Sequence, residues 1–133
     1  MLAGKKTTAA AARPAAGARP RSSRQKALLA AQTVAAKKAQ DTVILDLRKL
    51  TVIADYFVIC SGVSETHVRA LAEELLRQLA AHGSQHIAAQ GVSDGRWALV
   101  DLGDVIVHIF MQFEREFYDL EGLWGKAPTL AVA

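Results

Sequence analysis

WALVDLGDVIVHIF, Trp97 to Phe110, is the stretch on which the fold turns. DLGD supplies turn chemistry and alternation runs on either side of it, so the segment reads as two strands joined by a tight turn. The first strand points Trp97, Leu99 and Asp101 one way and Ala98, Val100 and Leu102 the other. The second alternates Val105, Val107 and Ile109 with Ile106, His108 and Phe110. Both sides are largely apolar. Each face of this hairpin therefore needs a cover, from this chain or from another molecule.

Outward from the hairpin, the spacing predicts the elements that could supply one. SETHVRALAEELLRQLAAHG places Val68, Leu71, Ala72, Leu75 and Leu79 on one helical face and ends in Gly83, where a helix C′ residue is expected. EREFYDLEGLWG reads as a closing helix with Phe113, Phe117, Leu120 and Trp124 on one face. TVILDLRKL (Thr42 to Leu50) and YFVICSG (Tyr56 to Gly62) are β-rich runs, and HIAAQG is a candidate short strand. SRQKALLAAQTVAAKKAQD is a helix with Ser22 or Ser23 as N-cap, Lys37 and Lys38 near its C-terminal end, and only a weak apolar stripe. The predicted order is αββαβββα: an α/β (mixed α+β) domain with a small mixed sheet packed with helices. The helices cover much of that sheet with little to spare. The remaining apolar face is either core or a docking site, and Trp97, beside the turn-forming SDGR at the rim, favours docking.

A chain of 133 residues holds one domain with a real core. Residues 1–40 contain nine Lys/Arg and no Asp/Glu; residues 41–133 contain seven basic and thirteen acidic residues, a net of −6. Residues 1–22 are too poor in large apolar side chains to fold and read as a disordered basic tail. That tail could hold RNA phosphates loosely, act as an organellar transit peptide, or simply be solvated. The domain is expected over 23–127, with 128–133 as a C-terminal tail. The longest apolar runs are strand-sized, so a soluble protein is expected. The single Cys60, within YFVICSG, reads as a buried thiol.

Motifs with chemistry are scarce. SGVSETH enters a helix from a strand and could hold an anion, but nucleotidyl transfer also needs an Asp-x-Asp pair for two metal ions, and no such pair occurs. Asp101 and Asp104 flank a turn, where Asp is common for backbone reasons. His67, His82, His86 and His108 lack zinc-site spacing; His108, inside VIVHIF, reads as a packed strand residue rather than a base. A Cys60/His108 nucleophile pair would have no orienting third group. No catalytic residue, metal site or cofactor is assigned.

DTVILDLRKLTVIADYFVICSGVSETHVRALAEEL, GRWALVDLGDVIVHIF and EREFYDLEGLWGKAP, three blocks in this order, resemble the Iojap-related ribosomal silencing factor family from about Lys26 to Pro128. The resemblance implies a nucleotidyltransferase-like fold without that superfamily's catalytic carboxylates, and no enzymatic activity. It implies binding to the large ribosomal subunit through its ribosomal protein fourteen, which blocks association with the small subunit and represses translation under nutrient limitation. Organellar relatives act in large-subunit assembly, and homodimers occur. A cytoplasmic location follows, or a mitochondrial or plastid one if the basic tail is a transit peptide. Read with the hairpin, the expected partner-facing set is Trp97, Leu99, Asp101, His108, Phe110 and Met111, with Trp97 an anchor whose truncation spares stability. The competing readings are a nucleotide-binding enzyme of nucleotidyltransferase type and a large-subunit assembly factor.

Overall fold

The computed structural model describes residues 21–132; most of the basic tail lies outside them. Helix α1 (Ser23–Ala36) starts in a reciprocal cap, in which the Ser22 hydroxyl accepts the Gln25 N–H and the Gln25 side chain accepts the Ser22 N–H. Its buried residues Ala27, Ala30, Ala31 and Val34 recur at helical spacing. The stripe is weak in hydrophobic contrast because it is built of alanines, and small side chains let a helix lie close on a sheet.

Strands β1 (Gln40–Asp46) and β2 (Tyr56–Gly62), helix α2 (Glu65–Ala81), strands β3 (Ala88–Gln90), β4 (Trp97–Asp101) and β5 (Val105–Met111), helices α3 (Gln112–Tyr118) and α4 (Leu120–Leu123), and strand β6 (Thr129–Leu130) follow. They form one mixed sheet in the order β3-β4-β5-β2-β1-β6, in which only β2 and β5 run parallel. Every residue of β2 is buried, as a strand covered on both faces must be. Helices α1 and α2 cover one face, where Val68, Leu71, Ala72, Leu75 and Leu79 of α2 meet Val58, Cys60, Val100 and Val107 of the sheet. A Cβ at Gly62 would stand 2.8 Å from Val68 Cγ2, so glycine at the end of β2 is what lets α2 turn back so closely.

The mixed α/β architecture stands as expected, but it differs in four particulars. β1 begins at Gln40 and stops at Asp46, whose carboxylate accepts the Arg48 backbone N–H and turns the chain out of the sheet. The closing helix is two helices, broken at Asp119 in the left-handed region (φ 45°, ψ 56°), and the Asp119 carboxylate caps the second through the Gly122 N–H. Phe113 and Phe117 do not cover the sheet. They are 72% and 69% exposed, because the face of α3 turned inward carries Arg115. Finally, Thr129–Leu130 extend the sheet beside β1, and Pro128 accepts the Asp46 N–H; two residues are too few to show alternation in the sequence.

Candidate protein-binding face

The face of the sheet opposite α1 and α2 is unlike the first. Across β4 and β5 the register sets Trp97 opposite Phe110, Leu99 opposite His108 and Asp101 opposite Ile106, and paired residues share a face. Beyond β4, Gln90 and Ala88 of β3 face Leu99 and Asp101. The burial of β4 alternates accordingly: Ala98 and Val100 are buried under the helices, while Trp97, Leu99 and Asp101 are half-buried.

Rings dominate this face. Trp97 packs on Phe110 at 4.8 Å between centroids and on Tyr118 of α3 at 4.6 Å; its indole N–H donates to His108 Nδ1 at 3.1 Å. His108 packs edge-on with Phe57 at 4.6 Å, and Phe57 meets Trp124 at 6.2 Å. In the other direction Tyr118 touches Phe117 and Phe117 stacks on Phe113. Of the chain's two Trp, two Tyr and four Phe, only Tyr56 lies outside this chain of rings. With Nδ1 accepting, the imidazole proton sits on Nε2, which is buried and without a hydrogen-bond partner among the described residues. Burial pushes the His108 pKa down to about 4, so the ring is neutral at pH 7.

The chain covers this face unevenly. Over β1 and β2, Leu120, Trp124 and Ala127 pack on Leu45, Leu47 and Phe57. Arg115, 7% exposed, bolts that cover down: its guanidinium donates to both Glu121 carboxylate oxygens, to Ser61 Oγ at 2.9 Å, and to the carbonyls of Gln40 and Asp41. Those carbonyls sit at a bulge in β1, where Asp41 has φ 50° and the register with β2 shifts. Over β4, Tyr118 leans in on Trp97, and among the described residues Leu99, Asp101 and Ile106 keep solvent access.

The expected partner-facing residues therefore separate. Trp97, Leu99 and Asp101 form a shared half-open surface. His108 and Phe110, 4% and 1% exposed, are its floor. Met111 points to the opposite face, partly buried against the helix-side core, since it alternates with Phe110. Sequence reading missed Arg115 and Tyr118; the signal available was an Arg set between acids inside an otherwise aromatic helix.

The polar groups of the DLGD and SGVSETH turns have partners within the domain. Asp101 Oδ1 accepts the Gly103 N–H at 2.7 Å, and Asp104 pairs with Lys26 at 3.1 Å. In the SGVSETH turn His67 Nδ1 accepts the Val63 N–H and Ser64 Oγ accepts the His67 N–H, so two donors an anion would use are already taken. The Cys60 thiol is buried, with its pKa raised to about 12 by that burial. Among the described residues no three His, Cys, Asp or Glu side chains gather as a metal site, and no helix is long and apolar enough to cross a membrane.

One mixed sheet with a helix pair on one side and an aromatic layer on the other defines a small α/β domain whose second face is only partly covered by the described residues. Residues 20–133 match the family model described as ribosomal silencing factor during starvation, and the chain belongs to that family. A protein named ribosomal silencing factor RsfS from Halalkalibacterium halodurans is 44% identical over 104 residues, 78% of this chain and 89% of its own. A crystal structure of a Chromobacterium violaceum protein superposes with a TM-score of 0.76 at 34% identity, over 85% of this chain and 95% of that one. More distantly, the mouse protein named mitochondrial assembly of ribosomal large subunit protein 1 is 30% identical over 91 residues, 66% of this chain and 40% of its own.

Proposed function

We propose that this protein is a non-enzymatic silencing factor that binds the large ribosomal subunit in the cytoplasm through its ribosomal protein fourteen. Bound there, it blocks association with the small subunit and so represses translation when nutrients are limiting. The observation that carries the reading is the half-open surface of Trp97, Leu99 and Asp101 over a ring-lined floor, in a mildly acidic domain whose residues 22–132 hold eleven Lys/Arg and thirteen Asp/Glu, a net of −2. A basic ribosomal protein complements both features: its apolar side chains meet Leu99 and Trp97, and opposite potentials speed docking. His108 and Phe110 support the surface from below rather than touching the partner. When no subunit is available, the same apolar surface supports a free homodimer. The basic residues before the domain add a weak, salt-sensitive RNA contact.

Cosedimentation with isolated large subunits, followed by a subunit-joining assay, tests the reading. Leu99→Arg should lose binding and inhibition together, because it puts an unpaired cation where an apolar contact is needed. Asp101→Asn keeps the acceptor for the Gly103 N–H and should slow association mainly at low salt. Wild-type protein that fails to cosediment with the large subunit overturns the proposal. The assembly role carried by the mouse relative's name begins from the same subunit, and would instead show as defective subunit maturation in cells lacking the protein.

A further inference from the structure

We propose that the exposed ridge of α3 is a second docking site, which seats an arginine- and lysine-rich segment of a partner protein beside the Trp97 surface. Phe113 and Phe117 stand one helical turn apart, stacked at 6.0 Å and 14°, and turn their outer faces to solvent. Exposed pairs of large aromatic side chains on a single helix are unusual unless something covers them. Around them the residues from 112 to 124 carry Glu114, Glu116, Asp119 and Glu121 against one cation, Arg115, a local net of −3. Arg115 is buried and bound to Glu121, so it neutralises none of the other three carboxylates. Rings that offer their faces beside Glu114, Glu116 and Asp119, none of which is in an ion pair among the described residues, match a guanidinium or ammonium group, which is attracted by the ring quadrupole and by the flanking charge together.

The same charge decides among occupants. Phosphate backbones are repelled by a surface of net −3. A second copy related by two-fold symmetry would set Glu114, Glu116 and Asp119 against their own equivalents. A basic protein segment meets neither obstacle. The ridge also continues the surface already described, because Phe117 touches Tyr118 and Tyr118 packs on Trp97. A partner that sits on Trp97 and trails a basic extension reaches α3 without leaving the protein. The identity of that partner as a component of the large subunit rests on the function proposed above.

Two titrations of the full chain separate the claims. In the first, an arginine-rich synthetic peptide and its Arg→Gln counterpart are titrated against wild type, Phe113→Ser/Phe117→Ser and Glu114→Lys/Glu116→Lys. Wild type should bind only the arginine peptide, and each double variant should lose about tenfold in affinity. The melting temperature of the phenylalanine variant should not change, since both side chains are exposed. Equal binding of the peptide by wild type and variants overturns the ridge. In the second, the same proteins are titrated with isolated large subunits. Loss in both double variants supports the ridge. Tighter binding of the lysine variant would mean that α3 faces RNA and overturns it. So would a wild-type dimer, seen by sedimentation, that the phenylalanine variant disperses. Absence of wild-type binding in the second titration alone rejects the ribosomal partner and leaves the peptide result to judge the ridge.

Discussion

Trp97 is held by three ring neighbours on one side and meets solvent on the other, so its loss should act twice. Removing the indole strips contacts from Phe110 and Tyr118 and leaves His108 Nδ1 without its donor. Trp97→Ala is therefore expected to cost about 2 kcal/mol of stability as well as affinity for the large subunit, whereas an anchor facing only a partner would spare the first. Trp97→Phe keeps a ring but no N–H, and should cost about 1 kcal/mol; denaturant melts of the two variants, run side by side, check both figures. His108 itself makes stability depend on pH. Above its ordinary value of 6.5 the imidazole is neutral in the folded and unfolded chain alike, and nothing is lost. As pH falls from 6.5 towards about 4, the unfolded chain takes up a proton that the buried ring refuses. Stability should drop through that window by about 3 kcal/mol, and the drop should be missing from His108→Phe when the two proteins are melted across the same pH series.

At the scale of elements, the half of the fold built on alternation and helical spacing could be read directly from sequence. The five inward residues of α2 stand where the spacing puts them, because a helix covered on one side leaves a clean period, and β2 is legible as a strand-length apolar run rather than by alternation. The C-terminal layer could not be read that way. Phe113, Phe117, Leu120 and Trp124 have helical spacing, yet only the last two pack on the sheet. The chain breaks its helix at Asp119 and turns a charged side chain inward, and neither event leaves a periodic trace. For the candidate site this meant that Trp97, Leu99 and Asp101 were visible from the sequence, while Tyr118 and the Arg115 bolt were not. Arg115 ties four segments through one planar group, and that is the basis of a sharp prediction. Arg115→Lys supplies one nitrogen where the fork reaches Glu121, Ser61 and two carbonyls, and should cost about 2 kcal/mol. Arg115→Met, which strands Glu121 and the bulge carbonyls, should cost about 3 kcal/mol. Hydrogen exchange in β1 and at Asp46, whose N–H is held by Pro128, should quicken in both variants before the α1 and α2 amides respond. Uniform exchange throughout the domain would mean that Arg115 is no local bolt.

The whole molecule joins a basic segment, five Lys/Arg and no acid before Ser22, to a mildly acidic domain, and the boundary between them matters to within a residue or two. Ser22 belongs to the domain, because its side chain and backbone close the cap on α1. Removal of residues 1–20 is expected to leave the melting transition where it is. Removal of residues 1–22 should lower stability by about 1 kcal/mol through the lost cap. Both truncations should flatten the salt dependence of large-subunit binding if the basic residues contact RNA, and should leave it unaltered if they are merely solvated. A cooperative transition lost on removing residues 1–20 would place the boundary elsewhere.

The chain's last described residues leave the domain on the helix side. Val132 packs partly against the helix-side core, and its carbonyl accepts the Gln32 side chain of α1 at 3.2 Å. A tether attached after this point would hold the molecule by its back, with the aromatic layer turned away from the support. Immobilised so on a sensor chip or a bead, every copy offers the same side to whatever flows past. Coupling through lysines, five of whose seven positions precede β1, would not orient the copies in that way.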